Sequence, residues 1–299
     1  MIRWALILGL AGAAAAQQGT VAGPSSGVVF DRTAGALRPV LGVPGAATLG
    51  EGMALAYGVN WIAVAPRFDS AVAAAQDGSL HFLRLTSGGI SERTVAGISS
   101  VPREALFSPS GTAAALEWSG EAQIVTGLPD APALTGAPTR LGARGTRAAA
   151  LSDDGAVLLV TDGNTVQIAG SGTEVAAGSL AAFAPGSHDA AIANGTGLSL
   201  VRDVTGAAQS IVLAAEGVTN PVAVAFSADG ANVFVAGAAG VTEWPTGSGF
   251  SVFVSCPCQP ATLAAMGALF RLNEPGQGPL WLFDPTGQTP RTVFVPAPQ

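Results

Sequence analysis

Few residues in this sequence have the types and spacing that chemistry needs. Cys256-Pro257-Cys258 sets two thiols one residue apart; in an oxidising compartment they can join as a local disulfide, and otherwise they stand as a thiol pair. A metal would need further ligands, and no other Cys or His lies near them in sequence. Gly186-Ser187-His188-Asp189 brings a hydroxyl, an imidazole and a carboxylate side by side, the three groups of a nucleophilic relay. Adjacent residues of a strand or tight turn point in different directions, so these three cannot line up, and no nucleophile elbow accompanies them. His188 therefore reads as an exposed turn residue. Asp153, Asp154, Asp162 and Asn164 flank one hairpin and offer the oxygen atoms that calcium takes. The Glu that closes an EF-type loop is missing, and the turn preferences of Asp and Asn account for all four. His81 sits beside Phe82 with no second histidine nearby and reads as partly exposed. No Gly-x-Gly-x-x-Gly opens a helix after a strand, which leaves a dinucleotide site unsupported. Paired carboxylates for glycoside chemistry would have to meet across distant segments. No catalytic, cofactor-binding or metal-binding residue is assigned on this reading, and no cofactor is implied.

The totals exclude several classes. The chain has 299 residues, 13 Lys plus Arg against 20 Asp plus Glu, and 48% hydrophobic residues, enough for a large core. Not one of the basic residues is lysine. That removes polybasic patches for nucleic acid or anionic lipid, together with Schiff-base and P-loop chemistry. Charged residues make up 11% of the chain, against roughly 25% in an average soluble protein. With 40 Gly and 20 Pro, the rest is turns and apolar strands.

Mean hydropathy is +0.44, raised by alanine. Beyond the N-terminus no uninterrupted apolar run approaches the roughly 20 residues that span a bilayer as a helix. The first residues differ: Arg3 supplies a positive start, Trp4 to Leu10 an apolar stretch, and Ala13 to Ala16 a small-residue cleavage site. Residues 1–16 read as a secretory signal peptide, the alternative being a buried N-terminal helix. Residues 17–27 then read as a flexible tether and 28–299 as one domain.

The elements that must position everything else repeat along the chain. Val222, Val224 and Phe226 alternate into the turn Ser227-Ala228-Asp229-Gly230, and Val233 to Val235 alternate out of it, the pattern of a hairpin. The same device returns at Phe107-Ser108-Pro109-Ser110-Gly111, Leu151-Ser152-Asp153-Asp154-Gly155 and Phe183-Ala184-Pro185-Gly186. Their starts lie 44, 32 and 43 residues apart. A second hairpin type, opened by Asp and closed by Gly, occurs at Phe30-Asp31, Arg202-Asp203 and Phe283-Asp284. Joined, the two types make a four-stranded unit. Six units are expected at 61–97, 105–136, 147–177, 180–214, 222–254 and 260–296, with 28–41 half of another.

A four-stranded unit at roughly 40 to 45 residues is the period of β-propeller blades. Sheets so rich in alanine cannot bury both faces alone, and only a closed ring gives each two neighbours. The fold class is therefore an all-β propeller, most simply seven-bladed with a degenerate first blade, six-bladed if the N-terminal hairpin only closes the ring. Trp118, Trp244, Phe253 and Trp281 are expected to fill the wider outer gaps between blades.

These repeats resemble the WD40-like and YVTN-type propeller repeats of secreted bacterial proteins, on Phe107-Ser-Pro-Ser-Gly, Phe226-Ser-Ala-Asp-Gly and Phe283-Asp284. The Trp-Asp dipeptide of true WD40 blades is absent, Trp244 being followed by Pro245. The resemblance implies an exported binding or scaffolding module, periplasmic or extracellular. Its partner would be a protein or surface ligand, without nucleic acid or a membrane span after signal cleavage, and the chain would act as a monomer. The alternative is a propeller enzyme of hydrolase or lactonase type, with a metal or carboxylate site at the central channel. The two differ in how many Asp, Glu, His or Asn side chains converge on that channel.

Overall fold

The computed structural model describes residues 24–87, 89–98, 100–142, 145–276 and 278–297. Residues 1–16 and the expected tether up to 23 lie outside the described residues. Within them the fold is all-β, and every sheet pairing is antiparallel between strands consecutive in sequence.

Seven sheets follow in chain order. Blade one has three strands, β1 (Ser25–Asp31), β2 (Ala36–Leu41) and β3 (Thr48–Leu49). The other six have four each. Blade two is β4 (Val59–Val64), β5 (Ser70–Ala75), β6 (Leu80–Thr86) and β7 (Gly89–Arg93), and blade three is β8 (Glu104–Phe107), β9 (Ala113–Glu117), β10 (Glu121–Thr126) and β11 (Ala133–Arg140). Blade four is β12 (Arg147–Leu151), β13 (Leu158–Thr161), β14 (Thr165–Ile168) and β15 (Glu174–Ala177), and blade five is β16 (Leu180–Phe183), β17 (Ala190–Ala193), β18 (Leu198–Arg202) and β19 (Gln209–Ala214). Blade six is β20 (Pro221–Phe226), β21 (Asn232–Gly237), β22 (Gly240–Pro245) and β23 (Val252–Ser255), and blade seven is β24 (Ala264–Met266), β25 (Leu269–Arg271), β26 (Leu280–Asp284) and β27 (Arg291–Val295). This is a seven-bladed β-propeller with a reduced first blade.

The core lies between blades. Every residue of β5, β9, β13 and β17 is buried, and Ala and Val dominate three of these second strands. Small side chains on both faces let sheets approach closely, and larger ones from neighbouring strands fill the space. Seven apolar clusters among the described residues each span one interface. They pair Phe30 with Leu83 (blades one and two), Phe82 with Leu116 (two and three), Ala115 with Leu158 (three and four) and Leu159 with Phe183 (four and five). Leu200 with Val235 (five and six), Phe234 with Phe283 (six and seven), and Leu282 with Val29 (seven and one) complete the ring. The last cluster closes it by side-chain packing. A Cβ on Gly27 would lie 2.3 Å from Met266 Cγ, so only glycine permits that approach.

Turn chemistry fixes the hairpins as the alternation suggests. In blades three, four and six a serine (Ser108, Ser152, Ser227) accepts through its hydroxyl the backbone N–H five residues on, at 3.3, 2.9 and 2.9 Å. Its carbonyl accepts the turn glycine's N–H at Gly111, Gly155 and Gly230. Those glycines hold φ of 70–71°, the left-handed region that a Cβ disfavours.

Blade one is built from the second hairpin type. Asp31 accepts the N–H groups of Thr33 and Ala34 at 3.0 and 3.1 Å and Arg38 Nε at 2.8 Å. Asp284 in blade seven does the same with Thr286 N and Arg291 Nε, at 3.0 and 3.1 Å. Strand β1 nevertheless packs beside β4 and β24, the first strands of its neighbours. In front of it, Gly267 N donates to Pro66 O at 2.6 Å, tying blade seven directly to blade two. The expected tether ends earlier than the sequence suggests, because β1 begins at Ser25 and Ser26 Oγ donates to Gly42 O at 2.6 Å.

Asp153 links its blade to both neighbours. From the first turn of blade four its Oδ1 accepts Ser110 N of blade three at 2.6 Å, and its Oδ2 accepts Gly186 N of blade five at 2.8 Å. One carboxylate thus staples three blades. Asp153→Ala is expected to cost about 2 kcal/mol, since hydrogen bonds to a charged group contribute roughly 1.5–3 kcal/mol each and these are partly solvated. Asp153→Asn keeps one acceptor and should lose less. Urea unfolding checks this, and equal stability of the alanine variant and wild type would contradict it.

Candidate functional site

The inner strands of blades three to six line a cavity of about 260 Å³ at the centre of the ring. Glu104 enters from β8, Arg147 from β12, Leu180 from β16, and Val222 and Val224 from β20. Both charged residues begin their strands, so they sit at one mouth of the channel. Ala148 on the cavity wall donates its N–H to Glu117 Oε2 at 2.8 Å. Glu117 is 1% exposed, and Arg103 Nε stands 3.8 Å from its Oε1. Burial raises the Glu117 carboxyl above the usual range; the Ala148 N–H pulls it back, Glu104 adds to the rise, and Arg103 and Arg147 oppose it. Among the described residues no group of three or more His, Cys, Asp or Glu is placed to hold a metal ion. The cavity wall thus carries one carboxylate, Glu104, and one guanidinium, Arg147, among small and aliphatic side chains, while Glu117 stands buried behind Ala148.

A second polar constellation lies on blade two. His81 on β6 stacks on Tyr57, ring centroids 3.9 Å apart and planes at 17°. Its Nε2 is 2.7 Å from Ser79 Oγ and its Nδ1 is 2.9 Å from Glu92 Oε2 on β7. Ser79 Oγ also donates to Asp77 Oδ1 at 2.6 Å, and Ser79 N donates to the same oxygen at 2.9 Å. These two bonds lower the Asp77 pKa. Tyr57 Oη is buried and has no hydrogen-bond partner of good geometry among the described residues; burial first, then the nearby Glu92 carboxylate, push its hydroxyl well above the usual phenol range.

The residues singled out in the sequence are placed as follows. Cys256 and Cys258 are bonded to each other, S–S 2.00 Å, at the start of the link between blades six and seven, against Phe270 and Phe283. Ser187, His188 and Asp189 point to different partners: Ser187 Oγ accepts Asp189 N at 3.2 Å, His188 Nε2 meets Asp154 Oδ2 at 3.0 Å, and Asp189 Oδ2 accepts Arg202 Nη1 at 2.5 Å. His188 is not an exposed turn residue. Its side chain is 29% exposed and bridges blade five to blade four, because the turn that carries it leans on its neighbour. Asp153 and Asp162 stand at opposite ends of β13 and cannot share an ion; Asp162 Oδ1 accepts Asn164 N and Thr165 N at 2.8 and 2.9 Å. Trp244 is buried between blades five and six, and Trp118 and Trp281 pack partly buried against their interfaces. Phe253 is the correction: it is 57% exposed, because β23 is the outermost strand of blade six and has no strand beyond it to cover that side chain.

The sequence reading missed Ser79 and Glu92. Ser79 and His81 share a strand face through their spacing of two, a legible signal. Glu92 is opposite Leu83 in the register and reaches His81 on the diagonal, which no sequence pattern announces.

No family model matches the chain, and no curated protein sequence matches it. Solved structures do. A functionally unknown protein from Desulfotomaculum acetoxidans DSM 771 is similar, with a TM-score of 0.62 and 15% identity over 91% of this chain and 99% of that one. KlHsv2 with loop 6CD replaced by a Gly-Ser linker is similar at 0.53 and 8% identity, over 91% and 97%. At these identities the likeness is one of fold.

The pH dependence at the channel has a definite sign. A carboxyl whose pKa is raised by folding supports the fold most below its unfolded pKa, and that support is lost as pH rises through the folded value. Glu117→Gln retains an acceptor for Ala148 N but cannot ionise. By urea unfolding, wild type relative to this variant should be most stable near about pH 3 and should lose ground toward about pH 7. A relative stability that grew with pH would contradict the assignment.

Proposed function

We propose that this protein is an exported binding or scaffolding propeller of the secreted WD40-like or YVTN-type kind, engaging a partner protein through the outer rim of blades five, six, seven and one. The observation that carries this reading is the distribution of exposed apolar side chains. Among the described residues nine large apolar side chains are exposed; Val222 faces the channel, and the other eight lie on blades five, six, seven and one. Val212 and Phe253 on outer strands are 64% and 57% exposed, Phe250 before β23 is 94%, and Phe294 on β27 is 52%. Strands β23 and β27 touch, and Thr292 Oγ1 donates to Ser255 O at 3.0 Å between them, so the rim runs from blade to blade. Phe294 packs against Trp281 with tilted rings, centroids 5.5 Å apart and planes at 52°.

The outer strands of blades two to four contrast with this: β7 exposes Ser91, Glu92 and Arg93, and β15 exposes Glu174. Contiguous apolar surface on one arc of a ring marks an interaction site. Each outer strand also leaves one edge of backbone N–H and C=O groups unpaired in its own sheet, where an extended apolar segment of a partner would add as a further strand. Export rests on residues 1–16, whose charge, apolar stretch and small residues fit a cleaved leader.

The reading is tested with a photo-crosslinking residue at Phe253 or Phe294, compared with the same residue at Arg93 or Glu174, in cells that export the protein and yield a first residue near Gln17. One discrete adduct from the apolar rim, lost in a Phe250→Ser variant, is expected. Adducts from the polar rim alone, or from no position, would contradict it.

A further inference from the structure

We propose that Ser79, His81 and Glu92 form a nucleophilic relay on blade two, in which Ser79 accepts the acyl group of small activated esters. The inference is independent of the apolar rim and of the channel. It rests on atom order: a hydroxyl on Nε2 at 2.7 Å and a carboxylate on Nδ1 at 2.9 Å. This is the arrangement in which an imidazole takes a proton from one side while the other nitrogen's N–H is held by an anion. The ring is fixed in the plane that serves both bonds, because Tyr57 stacks on its face at 3.9 Å. His81 and Glu92 stand on the paired strands β6 and β7, and Ser79 on the turn that leads directly into β6.

The reaction follows from these positions. As Ser79 Oγ bonds to the acyl carbon, its proton passes to His81 Nε2, and the imidazolium is held by Glu92 at Nδ1. Collapse of the tetrahedral adduct breaks the bond to the leaving alkoxide, which departs with the proton from Nε2. Water then repeats the sequence on the acyl-serine and releases the acid. Glu92 acts through the imidazole and is a positioning residue.

Two features define the substrate and the pace. Ser79 is half-buried on an open turn, which suits a small acyl group with an activated leaving group. The turn's amides are already engaged, Gly78 N by Ala75 O at 3.2 Å and Ser79 N by Asp77 Oδ1. Neither amide is free to hold the developing oxyanion, and slow acylation is expected rather than fast turnover. The Ser79 hydroxyl has one proton, which goes to Asp77 Oδ1 at 2.6 Å in the resting arrangement while Nε2 donates to Oγ; the hydroxyl must turn from Asp77 to Nε2 before the relay acts, a further reason for slow acylation.

The test is labelling of the full chain with a fluorophosphonate, in which the Oγ–P bond forms as fluoride leaves, and with p-nitrophenyl acetate, both read by mass spectrometry of the Ser79 peptide. Ser79 should be labelled faster than Ser91 and Ser110, and Ser79→Ala should remove the signal. His81→Gln keeps polar partners but no base and should slow labelling by about a hundredfold. Glu92→Gln should slow it by about tenfold, with part of the rate returned in Glu92→Asp, a rescue that a merely structural role would not show. Asp77→Asn, which still accepts Ser79 N, should raise the rate. Unchanged thermal midpoints exclude unfolding as the cause. Labelling of Ser79 no faster than Ser91, or undiminished in His81→Gln, would overturn the proposal.

Discussion

The structure depends on one constraint: a sheet faced with alanine cannot exclude water by itself. Strand β5 reads Ser-Ala-Val-Ala-Ala-Ala and is buried along its whole length, yet its side chains are too short to shelter one another. Burial comes from the neighbouring sheets, and each interface carries its own apolar cluster. Since apolar burial contributes in proportion to area, at roughly 25 cal/mol per Å², an unclosed ring would leave two such faces in water. Closure is therefore part of the stability of every blade. It is achieved without strand exchange, because blade seven takes all four of its strands from the C-terminal segment and meets blade one through Leu282, Met266 and Val29.

Polar groups then fix the angles between sheets that apolar packing leaves adjustable. Asp153 reaches both neighbours of its own blade, Glu117 holds Ala148 across the interface of blades three and four, and Gly267 spans the reduced blade. These three act on backbone groups, beside the side-chain bridge from His188 to Asp154. The outer strands diverge in composition: β7 exposes Ser91, Glu92 and Arg93, β11 exposes small residues with Thr135 and Arg140, and aliphatic and aromatic side chains stand out on blades five, six and seven.

Much of the fold could be read from the chain. Alternation around Ser-x-x-Gly and Asp-Gly turns marks the hairpins at Phe107, Leu151 and Phe226 with nearly their observed boundaries, because local sterics and hydrogen bonding decide those turns. The reduced blade was legible only as the hairpin at Asp31. Its third strand is Thr48–Leu49, too short for any periodic signal. The functional constellations were mostly hidden. His81 was visible, but its partnership with Glu92 depends on the register of β6 against β7. Asp153 looked like ordinary turn chemistry until three turns came together at one face of the ring. Phe253 alternates like a core residue, and only the position of β23 at the rim exposes it.

If closure stabilises every blade, the seven blades open as one cooperative unit. Hydrogen–deuterium exchange resolved by peptide, without denaturant and at rising urea, reads this. The account predicts that amides of β1 and β2 in the reduced blade share a single opening free energy with those of β5, β9, β17 and β21. Exchange of blade one at markedly lower protection, with the other blades unaffected, would show that the ring does not depend on its closure.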